Sequence, residues 1–456
     1  MTYFFETYGC QMNTAESAAL DLVCRERGWE KASGGENADL VLINTCSVRI
    51  TAEQRVMGRL ALYASLKKKR GPFILVVAGC MAQRLGEDLK KKIPAVDYVM
   101  GTGSRSLFPF ILEAAENGAA KNGPPARAEQ GEKPVFSFSS SHLEEGSFRS
   151  FVPIMHGCNN FCSYCIVPYV RGREISRSPQ SIVNELHLLA GKGVREITLL
   201  GQNVNSYRWE GNGSAGRPGF PGKVLDFPAL LALVARELKG SPVRWVRFLS
   251  ANPGDFSPRT MRIMADNRIF CRHLHLPVQH GSDHILRMMN RRYNRKRYLA
   301  LVREIRASIP GITLSTDILV GFPGETEADL EETLLLMEEV RFLYAYMYHY
   351  NPREGTAAYG FPGRIDENVR LERLGRVIAL QQKHTAELLE KRIGSRELAL
   401  IEGISRKNAD ELISRTERDE TAVVPGRASM IGSFAELTLR SLNGNTFRAG
   451  DIAPVE

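Results

Sequence analysis

Cys158-Asn-Asn-Phe-Cys162-Ser-Tyr-Cys165 places three thiols within one short run of a chain that otherwise uses cysteine sparingly, with 8 in 456 residues. Thiolates this close can converge on one soft metal centre. Three ligands rather than four leave a four-iron cluster with one iron that cysteine does not hold. An electron-transfer cluster usually fills that corner with a fourth cysteine, whereas an open corner binds something else. The same spacing also fits a zinc site, so its setting decides between them. The triplet follows a strand candidate, Val152 to Met155, and five more follow: Val194 to Leu200, Val243 to Leu249, His273 to Val278, Ile312 to Val320 and Ala345 to Tyr350. Helical patterns such as Pro179 to Leu189 and Asp329 to Glu338 separate them. Six βα units are too few for an eight-stranded barrel. The pattern predicts a partial (β/α)6 barrel over residues 148–372, with its site at the carboxyl ends of the strands, where the triplet lies.

Residues 1–117 carry the rhythm of a separate parallel α/β sheet. Strands are expected at Tyr3 to Tyr8, Asp39 to Asn44 and Phe73 to Ala78, with helices at Thr14 to Arg27 and Ala52 to Lys69. Cys10, Cys46 and Cys80 each follow one of these strands. Ligands collect at the carboxyl ends of strands in open α/β sheets, so the three cysteines are expected to face one site. The competing reading is three buried core thiols. Cys24, inside a helical pattern, and Cys271, near a strand start, read as structural. Residues 118–147 are rich in breakers and read as a linker. Residues 373–456 begin with a basic helical stretch. They continue as short alternating segments at Leu398 to Glu402, Thr421 to Val424 and Phe434 to Leu439, the pattern of a small OB-like all-β module. Its Ser405-Arg-Lys-Asn408 and Arg415-Thr-Glu-Arg418 segments suit phosphate contacts. So do the runs Lys67 to Arg70 and Arg291 to Arg297, against the competing reading of solvated charged faces.

Composition fits an α/β enzyme of a reducing, cytoplasmic compartment. Hydrophobic residues make up 43% and charged residues 24%. Cysteine is too sparse for a disulfide scaffold. No apolar run approaches the roughly 18 residues of a membrane span, and the start lacks a signal-peptide pattern. With 60 basic against 51 acidic residues the net charge is +9, which permits a polyanionic partner.

Beyond the triplet, the longer string Cys162-Ser-Tyr-Cys-Ile-Val-Pro-Tyr-Val-Arg-Gly-Arg-Glu-Ile-Ser-Arg177 resembles the methylthiotransferase branch of the radical S-adenosylmethionine (SAM) enzymes. Thr7-Tyr-Gly-Cys-Gln-Met-Asn13, Asn44-Thr-Cys-Ser-Val-Arg49 and Ala78-Gly-Cys-Met-Ala-Gln83 resemble that family's three amino-terminal cysteine motifs. Leu200 to Tyr207, His275 to Ser282 and Thr316 to Thr326 extend the likeness through the barrel, and the tail resembles the TRAM RNA-binding domain. Gln11-Met-Asn13, Gly201-Gln-Asn-Val-Asn205 and Glu402 to Asn408 resemble the tRNA-acting members. Val170 and Arg173 depart from the family pattern, which often has threonine and an acid there, and Ser414 replaces a common glycine.

The resemblance implies two 4Fe–4S clusters, one on Cys158, Cys162 and Cys165 with its open iron binding SAM, and an auxiliary one on Cys10, Cys46 and Cys80. It implies that Gly201, Gln202 and Asn203 help to hold the SAM amino group, that Gly321 and Glu325 shape the adenosyl pocket, and that Tyr164 flanks the cluster or the SAM adenine. Turns of structural origin and core packing are the competing readings for these residues. The implied reaction inserts sulfur at C2 of N6-isopentenyladenosine at position 37 of tRNA and methylates it with a second SAM. The implied partners are the anticodon stem-loop and a low-potential donor such as flavodoxin or ferredoxin, with the chain a monomer. Competing functions are methylthiolation of a threonylcarbamoyladenosine tRNA or a ribosomal protein, and a non-catalytic metal-containing RNA-binding protein.

Overall fold

The computed structural model describes residues 1–47, 50–118, 146–211 and 224–455; most of the 118–147 linker, and Val48 and Arg49 of the second cysteine motif, lie outside the described residues. The amino-terminal domain is a five-stranded parallel sheet in the order Glu30–Lys31, Thr2–Tyr8, Leu40–Thr45, Ile74–Gly79, Tyr98–Met100. Leu40–Thr45 and Ile74–Gly79 are buried at every position, as expected where helices cover both faces of a parallel sheet. On one face Leu20 and Cys24 of the helix Gln11–Glu26, and Ile111 and Leu112 of the helix Phe108–Glu116, pack on Leu40, Leu42 and Val76. On the other, Val56, Leu60 and Tyr63 of the helix Ile50–Arg70 pack on Val41, Ile43 and Leu75.

All six expected central strands are present, as two parallel three-stranded sheets. Trp245–Phe248, Glu196–Leu200 and Arg149–Pro153 form one; His273–His275, Thr313–Val320 and Tyr344–His349 form the other. A bridge from Val246 to Phe270 joins them. The largest core lies between these strands and their outer helices. Helix starts are fixed locally: Ser178, Asp226, Ser257, Asn294 and Thr326 each accept a backbone N–H as N-cap, three of them followed by proline in the first turn.

The expected boundary at 372/373 falls inside the helix Glu367–Glu390. That helix belongs to the barrel for most of its length. Arg373 bonds Glu325, Val377 joins the barrel core, and Gln381 Nε2 donates to the Phe342 carbonyl at 2.9 Å. The last domain is a closed five-stranded barrel in the order Arg396–Ile404, Glu411–Thr416, Thr421–Pro425, Thr446–Val455, Phe434–Asn443. Two of these strands, Glu411–Thr416 and Thr446–Val455, were not expected from sequence.

The turn between Glu411–Thr416 and Thr421–Pro425 enters the strand-start end of the central barrel. Arg247 Nη2 donates to the Thr416 carbonyl at 2.9 Å, Thr313 Oγ1 to the Arg418 carbonyl at 2.9 Å, and Tyr344 Oη to Asp419 Oδ2 at 2.5 Å. Glu196 takes Arg247 Nε at 2.9 Å and Arg415 Nη2 at 2.6 Å. The small barrel thereby plugs the floor of the larger one and leaves the carboxyl ends of the strands for the site. Arg415 also bonds Glu402 and Asp419, so its charge is spent on docking. This corrects its assignment to phosphate. Among the described residues no helix is long and apolar enough to cross a membrane.

Candidate metal centres

Strand register brings the three amino-terminal cysteines together. Tyr8 pairs with Thr45, and Thr45 with Gly79. Cys10, Cys46 and Cys80 begin one or two residues later, at the ends of three adjacent strands. Gly9 and Gly79, both at positive φ, provide the close approach. A Cβ on Gly9 would lie 2.7 Å from Cys46 Cβ, and one on Gly79 would lie 2.4 Å from the Thr45 carbonyl oxygen. Asn13, fully buried, accepts from the Cys10 thiol at 3.3 Å and donates to Asn44 Oδ1 at 3.0 Å and the Thr45 carbonyl at 3.1 Å. It thus ties two of the strand ends to each other. A hydrogen bond from Cys46 and the charge of Arg171 bring the exposed Cys10 thiol down to about 6, whereas burial pushes Cys80 up.

The second trio lies in the loop after Arg149–Pro153. Cys158 N–H donates to the Gly172 carbonyl at 3.2 Å, and Cys165 N–H to the Cys162 carbonyl at 2.9 Å. Gly157 is at φ +81°, where a Cβ would sit 2.1 Å from the Arg173 carbonyl oxygen. Asn290 Nδ2 donates to the Phe161 carbonyl at 2.9 Å, and Ser163 Oγ to that of Met288 at 2.7 Å, pinning the loop across the barrel mouth. Burial pushes Cys158 up to about 11 and Cys165 up to about 12. Arg291 Nη1 donates to Cys162 Sγ at 3.3 Å. This corrects part of the basic-run reading: Arg291 serves the thiol trio, and Tyr293 beside it is buried. In the other run, Lys67 pairs with Asp97, and Arg70 donates to the Ala38 carbonyl at 2.8 Å.

The two trios meet through one segment. Ile166, the residue after Cys165, packs with Val170 against Cys80. Thr102 Oγ1 of the amino-terminal domain donates to the Val170 carbonyl at 2.5 Å. Met12 and Ala15, one turn on from Cys10, pack on Leu200 of the barrel, with Phe151 and Leu249 alongside. Val170, a departure from the family pattern, thus provides an apolar contact to a cysteine. Arg173, the other, lies over the Phe161 ring at 4.3 Å.

Of the remaining expected site residues, Gly201, Gln202 and Asn203 lie beside the triplet loop. Gly157 N–H donates to Gln202 Oε1 at 2.7 Å, and a Cβ on Gly201 would meet Met155 Cγ at 2.5 Å. Asn203 is buried and donates to Asp255 Oδ2 at 2.8 Å. Tyr164 packs against the cluster of Ile285, Met289 and Phe322. Gly321 turns at φ +72° against Arg370. Glu325 differs from expectation. Its carboxylate is enclosed, with Arg373 Nη1 at 2.9 Å, the Phe322 N–H at 3.1 Å and His280 Nε2 at 3.3 Å, so its own part is to anchor the loop. Cys24 and Cys271 are core thiols, the latter clustered with Trp245, Leu400 and Phe434.

The barrel lumen carries further side chains, none of them among the expected site residues. Leu274, Leu314, Ile318, Ala345 and Met347 pack outward on the helices, so strand alternation turns His275, Asp317, Tyr344, Tyr346 and Tyr348 inward. His275 Nε2 lies 3.4 Å from Asp317 Oδ1 and its ring 5.7 Å from that of Tyr346; Tyr346 and Tyr348 are exposed. The alternating Tyr344-Ala-Tyr-Met-Tyr348 was the available signal.

This layout, with a cysteine trio at each of two facing parallel sheets, has counterparts among known proteins. Residues 152–337 match the Radical SAM superfamily, and residues 2–101 match Uncharacterized protein family UPF0004. The tRNA-2-methylthio-N(6)-dimethylallyladenosine synthase of Treponema denticola is 50% identical over 98% of this chain and 99% of its own. The synthase of that name from Porphyromonas gingivalis is 41% identical over 97% and 93%. The chain belongs to this radical SAM methylthiotransferase family. Among solved structures, the radical SAM methyltransferase TsrM of Kitasatospora setae shares the fold, with a TM-score of 0.58 at 16% identity over 78% of this chain and 77% of that one. Methylthiotransferase membership makes the chain an enzyme.

Proposed function

We propose that this methylthiotransferase converts N6-isopentenyladenosine at position 37 of tRNA to its 2-methylthio derivative, the reaction for which its full-length relatives are named. The observation that carries the reading is the segment Cys165 to Arg171. It starts on a thiol of one trio and ends packed on a thiol of the other, so both centres serve one chamber. The donor sets suit the implied clusters in their chemistry: each trio is all-thiol, Arg291 donates to Cys162, and glycines clear the backbone around them, although among the described residues no three such side chains are spaced to hold a single metal ion. When bound, the clusters and SAM supply the radical that breaks the C–H bond, the sulfur and the methyl group.

The chain's own part is positioning. The C2 hydrogen of a purine is not acidic enough for a side-chain base to remove, so the protein must hold the base, not deprotonate it. Tyr346 and Tyr348 give an aromatic wall on which an extruded purine can stack, worth about 1–3 kcal/mol per base. The His275–Asp317 pair offers polar contacts beside it. The floor plug and the helix Gln11–Glu26 close two sides of the chamber against water. Gly201 to Asn203 and Gly321 remain the proposed edges of the SAM site, and Tyr164 its cover. A monomer acting in the cytoplasm on the anticodon stem-loop, with electrons from flavodoxin or ferredoxin, completes the reading.

Anaerobic reconstitution is expected to give about eight irons per chain, two four-iron clusters. A Cys158→Ala strain should lose the methylthio nucleoside and accumulate the isopentenyl precursor by mass spectrometry. An unchanged nucleoside pool would rule out this substrate, and accumulation of a threonylcarbamoyl nucleoside instead would favour the sister reaction.

A further inference from the structure

Arg171 ends the helix Val167–Arg171, which starts two residues after Cys165. Its side chain is 3% exposed, and its guanidinium leaves the barrel to enter the amino-terminal domain. There Nη1 meets Glu16 Oε1 at 2.7 Å and Nη2 meets Glu16 Oε2 at 3.4 Å. Glu16, 4% exposed, also pairs with Arg105. Val170, the residue before Arg171, packs on Cys80, which brings the guanidinium charge to bear on Cys80 and Cys10. On the barrel side it lies 3.4 Å from His156 Nδ1.

A charge this deeply buried is costly unless opposite charge surrounds it. Glu16 pairs with both Arg171 and Arg105. Cysteine thiolates on a cluster would add negative charge on the side of Cys80. We propose that Arg171 is a positioning residue that sets the charge around the auxiliary cluster, holding a cation beside Cys80 while Glu16 offsets part of it. The inference rests on the two-cluster reading above. It goes further in assigning the electrostatic control of one cluster to a side chain delivered by the loop that holds the other. A buried cation beside a cluster favours its more negative, reduced state. Removing it should therefore lower the reduction potential, and removing the offsetting carboxylate should raise it.

The test uses the full chain with Cys158, Cys162 and Cys165 all changed to alanine, so that only the auxiliary cluster assembles. Redox titration followed by electron paramagnetic resonance reads its midpoint potential, and iron analysis reads its occupancy. About four irons per chain are expected in this parent. Arg171→Gln should shift the potential down, Arg171→Lys should stay near the parent, and Glu16→Gln should shift it up. Unchanged potentials in Arg171→Gln and Glu16→Gln with iron retained would overturn the proposal. If Arg171→Gln loses its iron, Glu16→Gln and Arg171→Lys decide by the same signs. A parent that takes up no iron would instead overturn the two-cluster reading itself.

Discussion

Gly79 shows what one residue contributes at the auxiliary centre. It stands at φ +93°, and any Cβ would meet the Thr45 carbonyl oxygen at 2.4 Å and Asn44 Oδ1 at 2.5 Å. Gly79→Ala should cost more than about 1 kcal/mol, the usual price of forcing alanine into positive φ, and the strain falls on the strand ends carrying Cys46 and Cys80. Urea unfolding should show the loss, and reconstituted iron should fall toward half. Cys24 gives the opposite case. It is fully buried beside Leu20 and Trp29, remote from the strand ends. Cys24→Ala should cost about 1 kcal/mol from the emptied volume and leave iron unchanged, whereas Cys80→Ala should remove about half of the iron. Both positions were legible in the sequence, because placement after a strand separates Cys80 from Cys24. Glu325 was not legible: a motif marks where a loop lies, but only packing reveals that its carboxylate is used up by Arg373 and His280.

Among elements, the six central strands were readable because long apolar runs alternate with well-capped helices. Glu411–Thr416 was hidden for a physical reason. Its burial alternates strictly, but the inward positions of a small barrel include Ser414 and Thr416, both fully buried, and polar residues there erase the hydrophobic signal. Thr446–Val455 contains Gly450, Asp451 and Pro454, which read as breakers, yet Asp451 falls at a register shift against Phe434–Asn443, and Pro454 lies beyond the stretch paired with Thr421–Pro425, where one side of the strand needs no N–H donor. The turn following Glu411–Thr416 carries the docking network, and two predictions attach to it. Glu196→Gln leaves Arg247 and Arg415 without their shared carboxylate, which should cost on the order of 3 kcal/mol and open the small barrel to limited proteolysis. The second concerns acid. Burial holds His273 down to about 4, while the unfolded side chain titrates near 6.5. Stability should therefore fall as pH drops from about 6.5 to about 4, because the unfolded chain binds the proton first. Asp419, held low against the opposing effect of burial by His273, Arg247 and Arg415, has the same sign: its contribution is present above the unfolded carboxylate value and is lost as pH falls through its own lower one. Melting curves should show the decline, and His273→Gln should flatten the part above pH 4.5.

For the whole molecule, the net charge of +9 said nothing about where basic residues are free to meet RNA. The fold sorts them. Arg415 is enclosed at the floor, Arg396, Arg440 and Arg448 pair on the small barrel's surface, and Arg291 and Arg171 attend the thiols. Arg406 and Lys407, in the turn after Arg396–Ile404, are exposed and form no ion pair among the described residues. With Arg427, likewise exposed and in no ion pair among the described residues, they are available for phosphate, and their role separates from docking by experiment. Changing Arg406 and Lys407 to alanine should leave the urea midpoint in place and weaken tRNA binding at all sequences alike. Each lost phosphate contact should lower the slope of log affinity against log salt by about 1. Arg415→Gln should do the reverse, lowering the midpoint and leaving the salt slope intact. Equal salt slopes for parent and double variant, measured by filter binding, would move the RNA contact away from this turn. The exposed edge of the central barrel beside Tyr346 and Tyr348 would then be the surface to probe, since a purine brought to the lumen must pass it.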